Sequence, residues 1–183
     1  MKRVNIIIGR FQPFTKGHYK CVEEAWQKKH VPTVICMIET PETKVDQRHP
    51  FSSDMLIDLY NEWFKKDPKI EKIITVKNAD IVKISEILDG YEIVSWVCGT
   101  DRYDSYTTMA ERYAEQAHLP EDFEVIEIKR TDEDVSATKA RQALLDNNRT
   151  EFIKLVPSIS LSTRLKSDIF TILKDQILKV YNS

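Results

Sequence analysis

The sequence predicts an α/β fold, a doubly wound, five-stranded parallel sheet with helices on both faces and a C-terminal helical segment. Three observations predict it. Short apolar runs recur without polar alternation, as strands buried on both faces require. Stretches with helical spacing separate these runs, which is the βαβ rhythm of a parallel sheet. No repeat, low-complexity tract or linker interrupts the 183 residues, a length that suits one domain over 1–183 with 158–183 as a helical extension.

The elements follow in order. Val4 to Ile8 is a continuous apolar run that stops at Gly9, a buried strand. Gly17 to Lys29 reads as a helix with Tyr19, Val22 and Trp26 on one side, and Thr33 to Ile38 as a second strand. Ser52 to Lys66 is amphipathic, with Met55, Leu56, Leu59, Tyr60, Trp63 and Phe64 on one face. Ile70 to Val76 is the third strand, and Asp80 caps a helix that reaches Leu88. Tyr91 to Cys98 is the fourth strand, Tyr103 to Ala117 a helix, and Phe123 to Ile128 the fifth strand. Ser136 to Asn147 is helical, and Ile159 to Tyr181 holds one or two further helices. The arrangement is Rossmann-like.

Composition narrows the function. The chain is 42% hydrophobic and 31% charged with a formal net charge of −2, an ordinary globular balance with no global field for nucleic acid. An anionic substrate must then be held by local positive groups. No apolar run is long enough to span a bilayer and no leader pattern precedes Gly9, so the expected location is the cytoplasm. Cys21, Cys36 and Cys98 are scattered among apolar residues and read as free buried thiols. No His, Cys and acidic cluster has metal-ligand spacing, and His30 and His118 at helix ends read as structural.

Open parallel sheets bind ligands at the carboxyl ends of their strands. The informative segments are therefore Gly9 to His18, Glu39 to Ser52, Gly99 to Arg102 and Lys129 to Arg141. In the first, Gly9 ends the strand, Pro13 stiffens the turn and Thr15 can cap the helix. His18 lies three residues on, in the first turn, where free N–H groups and the dipole suit phosphate. Gly17 leaves room for a triphosphate, and Arg10 and Lys16 add charge. Read alone, the same residues also describe a solvated turn with a locally capping histidine. In the last segment Ser136 is an N-cap, Thr138 and Arg141 share a face at i, i+3, and Lys139 sits in the first turn. Read alone, that is a plain capped helix with solvated cations.

Together the two segments carry a resemblance. Thr15-Lys16-Gly17-His18 resembles the first signature of the nucleotidyltransferase superfamily, His-x-Gly-His or Thr-x-Gly-His after the first strand. The longer Gly9-Arg10-Phe11-Gln12-Pro13-Phe14 is similar to archaeal-type nicotinamide mononucleotide (NMN) adenylyltransferases, which usually open the signature with His where this chain has Thr15. Ser136-x-Thr138-x-x-Arg141 resembles the second signature, which in that superfamily grips the β- and γ-phosphates. Leu144 through Phe152 to Val156-Pro157 resembles the family's helix, short helix and proline exit. His49-Pro50-Phe51-Ser52 is similar to the Asn-Pro-Phe-Thr of the NMN enzymes, but Leu56 stands where those carry an arginine.

The resemblance implies transfer of AMP from ATP to a small phosphorylated acceptor, NMN foremost, giving NAD and pyrophosphate, with Mg²⁺ arriving on the triphosphate. It implies catalytic roles for His18, Thr15, Lys16 and Arg141, and nucleotide contacts from Gly9, Arg10, Phe11, Gly17, Ser136, Thr138 and Lys139. Acceptor contacts fall to Gly99, Thr100 and Asp101, to Lys44 and Arg48 unless these are loop cations facing water, and to Trp96 unless it is a core residue. Other expectations are the same chemistry on phosphopantetheine, a flavin mononucleotide, or a sugar or alcohol phosphate with CTP, and a nucleotide sensor without turnover. A tRNA-synthetase-like domain is disfavoured by the short chain and the missing Lys-rich motif. Neither nucleic acid nor membrane is an expected partner. Leu165, Ile169, Ile172 and Leu173 put an apolar face on the last helix, for packing on the sheet or for a homo-oligomer contact.

Overall fold

The computed structural model describes residues 1–129, 136–157 and 163–183, with the side chains of 163–167 outside the description. Asp134, Val135 and Ile159, and the Leu165 side chain, fall outside the described residues. The chain forms two compact units.

The first unit holds Met1–Gly9, Lys20–Ile38 and the described part of Pro68–Glu133. It contains the whole sheet: β1 (Lys2–Gly9), β2 (Thr33–Ile38), β3 (Ile70–Val76), β4 (Tyr91–Gly99) and β5 (Glu124–Ile128). All pairings are parallel, in the order β3-β2-β1-β4-β5. Strand order reverses between β1 and β4, whose carboxyl ends are Gly9 and Gly99. The central strands are buried on both faces, which is why their sequences lack alternation. On one face Val4, Ile6, Val34, Cys36, Trp96 and Cys98 pack with Ile81, Ile84 and Leu88 of α3 (Ile81–Ile87) and its end, and with Tyr106 of α4 (Thr100–Tyr113). Residues of opposite parity, Ile7, Ile35, Met37 and Val97, are buried on the other face. A buried polar pair sits in this core. Asn5, fully buried, accepts from the Ser95 hydroxyl (2.6 Å) and donates to the Val31 carbonyl (2.9 Å).

Most helices lie within one or two residues of the sequence reading, and α4 differs most. Asp80 caps α3 through the N–H groups of Val82 and Lys83, as its side chain suggested. By contrast α4 starts at Thr100 rather than Tyr103 and ends at Tyr113. Its N-cap is Gly99, which offers no side-chain bond, so the start carries no capping signal in the sequence. Gly99 to Arg102 is thus a strand end running straight into a helix, not a loop.

The second unit holds Arg10–Tyr19, Glu39–Asp67 and the described part of Asp134–Ser183. It contains the start of α1 (Lys16–Lys29), the 3₁₀ turn Glu42–Lys44, α2 (Ser53–Phe64), α5 (Ala137–Leu145), α6 (Arg149–Leu155) and α7 (Thr163–Tyr181). Ser52 caps α2 through the Met55 N–H, and Asn148 caps α6 through that of Glu151. Helix α7 docks on α5 and α6: Ile169, Phe170, Leu173 and Ile177 are buried, Phe152 lies 5.6 Å from Phe170, and Arg149 covers the Phe170 ring. Its apolar face is therefore used within the unit, while Ile172 is 44% exposed.

Candidate active site

The turn Arg10–Thr15 is built by its own buried residues and by α2. The Gln12 side chain makes a two-way bridge to the Phe51 backbone, Nε2 donating to its carbonyl (2.7 Å) and Oε1 accepting from its N–H (3.0 Å). The Tyr60 hydroxyl, fully buried, accepts from the Phe14 N–H (2.9 Å) and donates to the Phe11 carbonyl (2.6 Å). Burial drives the Tyr60 phenol far above its ordinary pKa, so it stays a neutral donor and acceptor. Phe11 adopts φ 52°, a left-handed conformation unusual for a bulky side chain and roughly 1–2 kcal/mol uphill. The Tyr60 bond and the packing of its ring on Phe14 (5.2 Å) and His18 (4.9 Å) hold it there.

His18 stands on that aromatic floor. Its ring meets Phe11 edge-on and Phe14 at 5.3 Å, and Phe14 in turn packs on Tyr60, Trp63 and Phe64 of α2. The helical face seen in the sequence thus supports the imidazole. The Thr15 N–H donates to His18 Nδ1 (3.0 Å), and the Thr15 hydroxyl lies 3.2 Å from the same nitrogen. The Thr15 carbonyl accepts from Tyr19, which makes Thr15 the N-cap, and His18 fills the position where a Glu or Gln closes a capping box. A backbone N–H can only donate, so Nδ1 is the acceptor and Nε2 carries the ring proton.

The second motif comes to this turn. Ser136 caps α5 by accepting from the Lys139 N–H (3.3 Å). Arg141 donates through Nη2 to the Thr138 hydroxyl (3.3 Å) and through Nη1 to the Gln12 carbonyl (2.7 Å). Neither α1 nor α5 has an acidic residue in its first turn, whereas α2, α4 and α6 have Asp54, Asp101 and Glu151. Their positive ends are left for an outside anion.

A cleft of about 380 Å³ in the same unit is lined by Gln47, Arg48, Thr138, Arg141, Gln142, Leu145 and Tyr181. Its electrostatics are one-sided. Burial, chiefly, and the nearby Arg48 lower the Arg141 pKa. The His49 imidazole is held below its ordinary value by burial first and then by Arg10, with Asp46 pulling the other way and Arg48 and Arg141 adding smaller pushes. Three guanidinium groups thus act on one ring. Some cations of the other unit are paired, Lys2 with Glu71, Arg3 with Glu92 and Asp122, and Lys28 with Glu124. Among the described residues no carboxylate forms such a pair with Arg10, Arg48 or Arg141. Like charges held this way are stabilised by an anion between them.

Several sequence expectations change. Phe11 is buried beneath His18 and contributes through packing rather than by touching a nucleotide. Thr15 is fully buried, with its hydroxyl against His18 Nδ1. Trp96 is fully buried and stacked on Tyr106 at 3.8 Å, a core residue and no surface for an acceptor. Arg10 points its Nη1 at the Glu39 carbonyl and the Thr40 hydroxyl. Arg48, read as an acceptor residue, lines the same cleft as Thr138 and Arg141. Lys44 is exposed on the 3₁₀ turn, away from the lining, and Lys16 and Lys139 are exposed in their first turns. Gly9 and Gly17 are half-buried.

Gly99, Thr100 and Asp101 belong to the sheet unit. The Thr100 hydroxyl donates to Glu127 (3.0 Å), and the Cys98 thiol is pushed up to about 11 by burial first, then by Asp101 and Glu127. That strand end is acidic and suits hydroxyl or amide donors rather than phosphate. Gln47, Tyr60 and Tyr181 were not singled out from the sequence as site residues. Only Tyr60 had a signal there, its place on the aromatic face. No group of His, Cys, Asp and Glu among the described residues could hold a metal ion, and no described helix is long and apolar enough to cross a membrane.

Known structures share the fold. A Vibrio parahaemolyticus protein provisionally assigned as a nicotinate-nucleotide adenylyltransferase is 19% identical with a TM-score of 0.56, the match covering 95% of this chain and 96% of that one. Plasmodium falciparum nicotinic acid mononucleotide adenylyltransferase, in complex with NaAD, is 14% identical with a TM-score of 0.56, over 93% and 98%. Thermotoga maritima TmcAL bound with alpha-thio ATP is 14% identical with a TM-score of 0.56, over 98% of this chain and 56% of its own. No curated protein sequence matches. The cytidylyltransferase-like family model matches residues 6–143, from β1 through the Ser136–Arg141 motif, and the chain belongs to that family of nucleotidyltransferases.

Proposed function

We propose that the protein transfers AMP from ATP to the phosphate of a small acceptor, NMN foremost, releasing pyrophosphate. The observation that carries this reading is the Arg141 bond to the Gln12 carbonyl, which joins the two phosphate-binding motifs in one cationic site. An acceptor phosphate oxygen attacks the α-phosphorus, and the bond from that phosphorus to the bridging oxygen breaks. The attacking oxygen is already anionic and the bridging oxygen leaves as an oxygen of the pyrophosphate anion, so no protein nucleophile or base is needed, and catalysis is positioning and charge neutralisation. His18 donates from Nε2 to the α-phosphate. Thr138, Arg141 and the Ser136 hydroxyl receive the departing pyrophosphate, and Arg48 adds charge to the same cleft. Mg²⁺ would arrive with the triphosphate and help neutralise its charge, since the cleft lining holds no carboxylate to bind it.

The nicotinate nucleotide named for two of the structural neighbours is the nearest alternative acceptor. Leu56 favours keeping the acceptor question wide. It is fully buried in α2, so this position offers no cation to an acceptor phosphate. The decisive experiment incubates the protein and Mg²⁺ with ATP or CTP and each acceptor in turn, following pyrophosphate. Release with ATP and NMN supports the reading. Release only with another pair reassigns the acceptor. Triphosphate binding without product from any pair would leave a sensor rather than an enzyme.

A further inference from the structure

We propose that Tyr181, at the end of the C-terminal helix, is a binding residue for the terminal phosphates of the triphosphate. This rests on the nucleotidyl-transfer reading and extends its site to a helix beyond both motifs and beyond the stretch matched by the family model. Tyr181 lines the cleft together with Arg48 and with Thr138 and Arg141 of α5. Its phenol is 37% exposed and donates only a long bond, 3.4 Å, to the Gln47 carbonyl. Such a bond is weak, and a phosphate oxygen in the cleft would take the proton in its place. The helix is anchored so that its end stays put. Leu173 and Ile177 are buried, Lys174 donates to Asn147 (3.4 Å), and Gln176 donates to the Pro50 carbonyl (3.3 Å).

The chemistry suits the place. Arg48 and Arg141 already crowd the cleft with charge, and a phenol supplies a donor without a third cation. Its ring also keeps water from one side of the phosphates, which strengthens the guanidinium contacts.

The test is titration calorimetry of inorganic triphosphate into the whole protein and into Tyr181→Phe and Tyr181→Ala, with thermal melts of each. Tyr181→Phe is expected to weaken binding about tenfold, the size of a lost bond to a charged group, and Tyr181→Ala at least as much, with unchanged melts. Equal affinities for all three proteins would overturn the role of Tyr181 and leave the parent reading intact. No triphosphate binding by the unaltered protein would overturn both.

Discussion

The guanidinium of Arg141 donates a 2.7 Å hydrogen bond to the backbone carbonyl of Gln12, across 129 residues of chain. Arg141 also meets the Thr138 hydroxyl, and Gln12 is itself splinted to Phe51, so one side chain ties three segments. Arg141→Ala is expected to lower kcat/KM by roughly 10²–10³, the range for a lost transition-state donor. Arg141→Lys should recover little, because an ammonium cannot hold the forked pair of partners. Pyrophosphate release measured for both variants checks this, and full recovery with lysine would argue for charge alone.

His18→Ala should slow turnover by on the order of 10²–10³ while the protein stays folded. The loss of the Thr15 N–H acceptor should cost only about 0.5–2 kcal/mol, as for a helix cap. Single-turnover rates and a urea melt separate the two effects. An unchanged rate would remove His18 from the chemistry.

Arg48 shares its cleft with Thr138 and Arg141, which groups it with the polyphosphate rather than the acceptor. Arg48→Ala is expected to raise KM for the triphosphate severalfold and leave KM for the acceptor nearly unchanged. The opposite pattern in a two-substrate kinetic matrix would return Arg48 to the acceptor side.

Tyr60→Phe deletes one oxygen and strands two buried backbone groups, the Phe14 N–H and the Phe11 carbonyl. Stability should fall by about 1–3 kcal/mol in chemical denaturation, the usual cost of unsatisfied buried groups. The rate should fall as well, because the same oxygen holds the floor under His18. A variant as stable and as fast as the parent would show that the turn holds its shape without this clamp.

His49 links binding to pH. Its folded pKa lies below the ordinary value near 6.5, through burial and then Arg10, Arg48 and Arg141. By linkage, its contribution to stability is complete above that ordinary value and is lost as pH falls through the lowered one. A bound polyphosphate cancels the repulsion from the arginines, so the imidazole regains affinity for a proton. Near pH 6, triphosphate binding should therefore take up more protons in the parent than in His49→Asn. Calorimetry in two buffers of different ionisation heat reads the difference, and equal uptake would rule it out.

Much of this was legible in the chain, for physical reasons. Thr33–Ile38 and Ile70–Val76 are strands to the residue, because continuous β-branched runs between turn signals leave little choice. Ser136 and Asp80 announced their helices because caps are local. The start of α4 was hidden because Gly99 caps without a side chain. Trp96 could be read either way, since nothing local shows that Tyr106 stacks on it. Tyr181 and Gln47 belong to no pattern. They enter the site only because α7 and the 39–52 segment are folded against α5, and no periodicity encodes a meeting of that kind.

The buried amide of Asn5 has a consequence for alignment. The pairing of β1 with β4 shifts by one residue between Val4 and Asn5, so that Asn5 faces Ser95 while Val4 faces Ile93. Sliding the strands by a single step would rotate the amide away from both of its partners and leave it stranded in oil. A chain of isoleucines and valines could close in several near-equivalent ways, and this one polar key accepts only one of them.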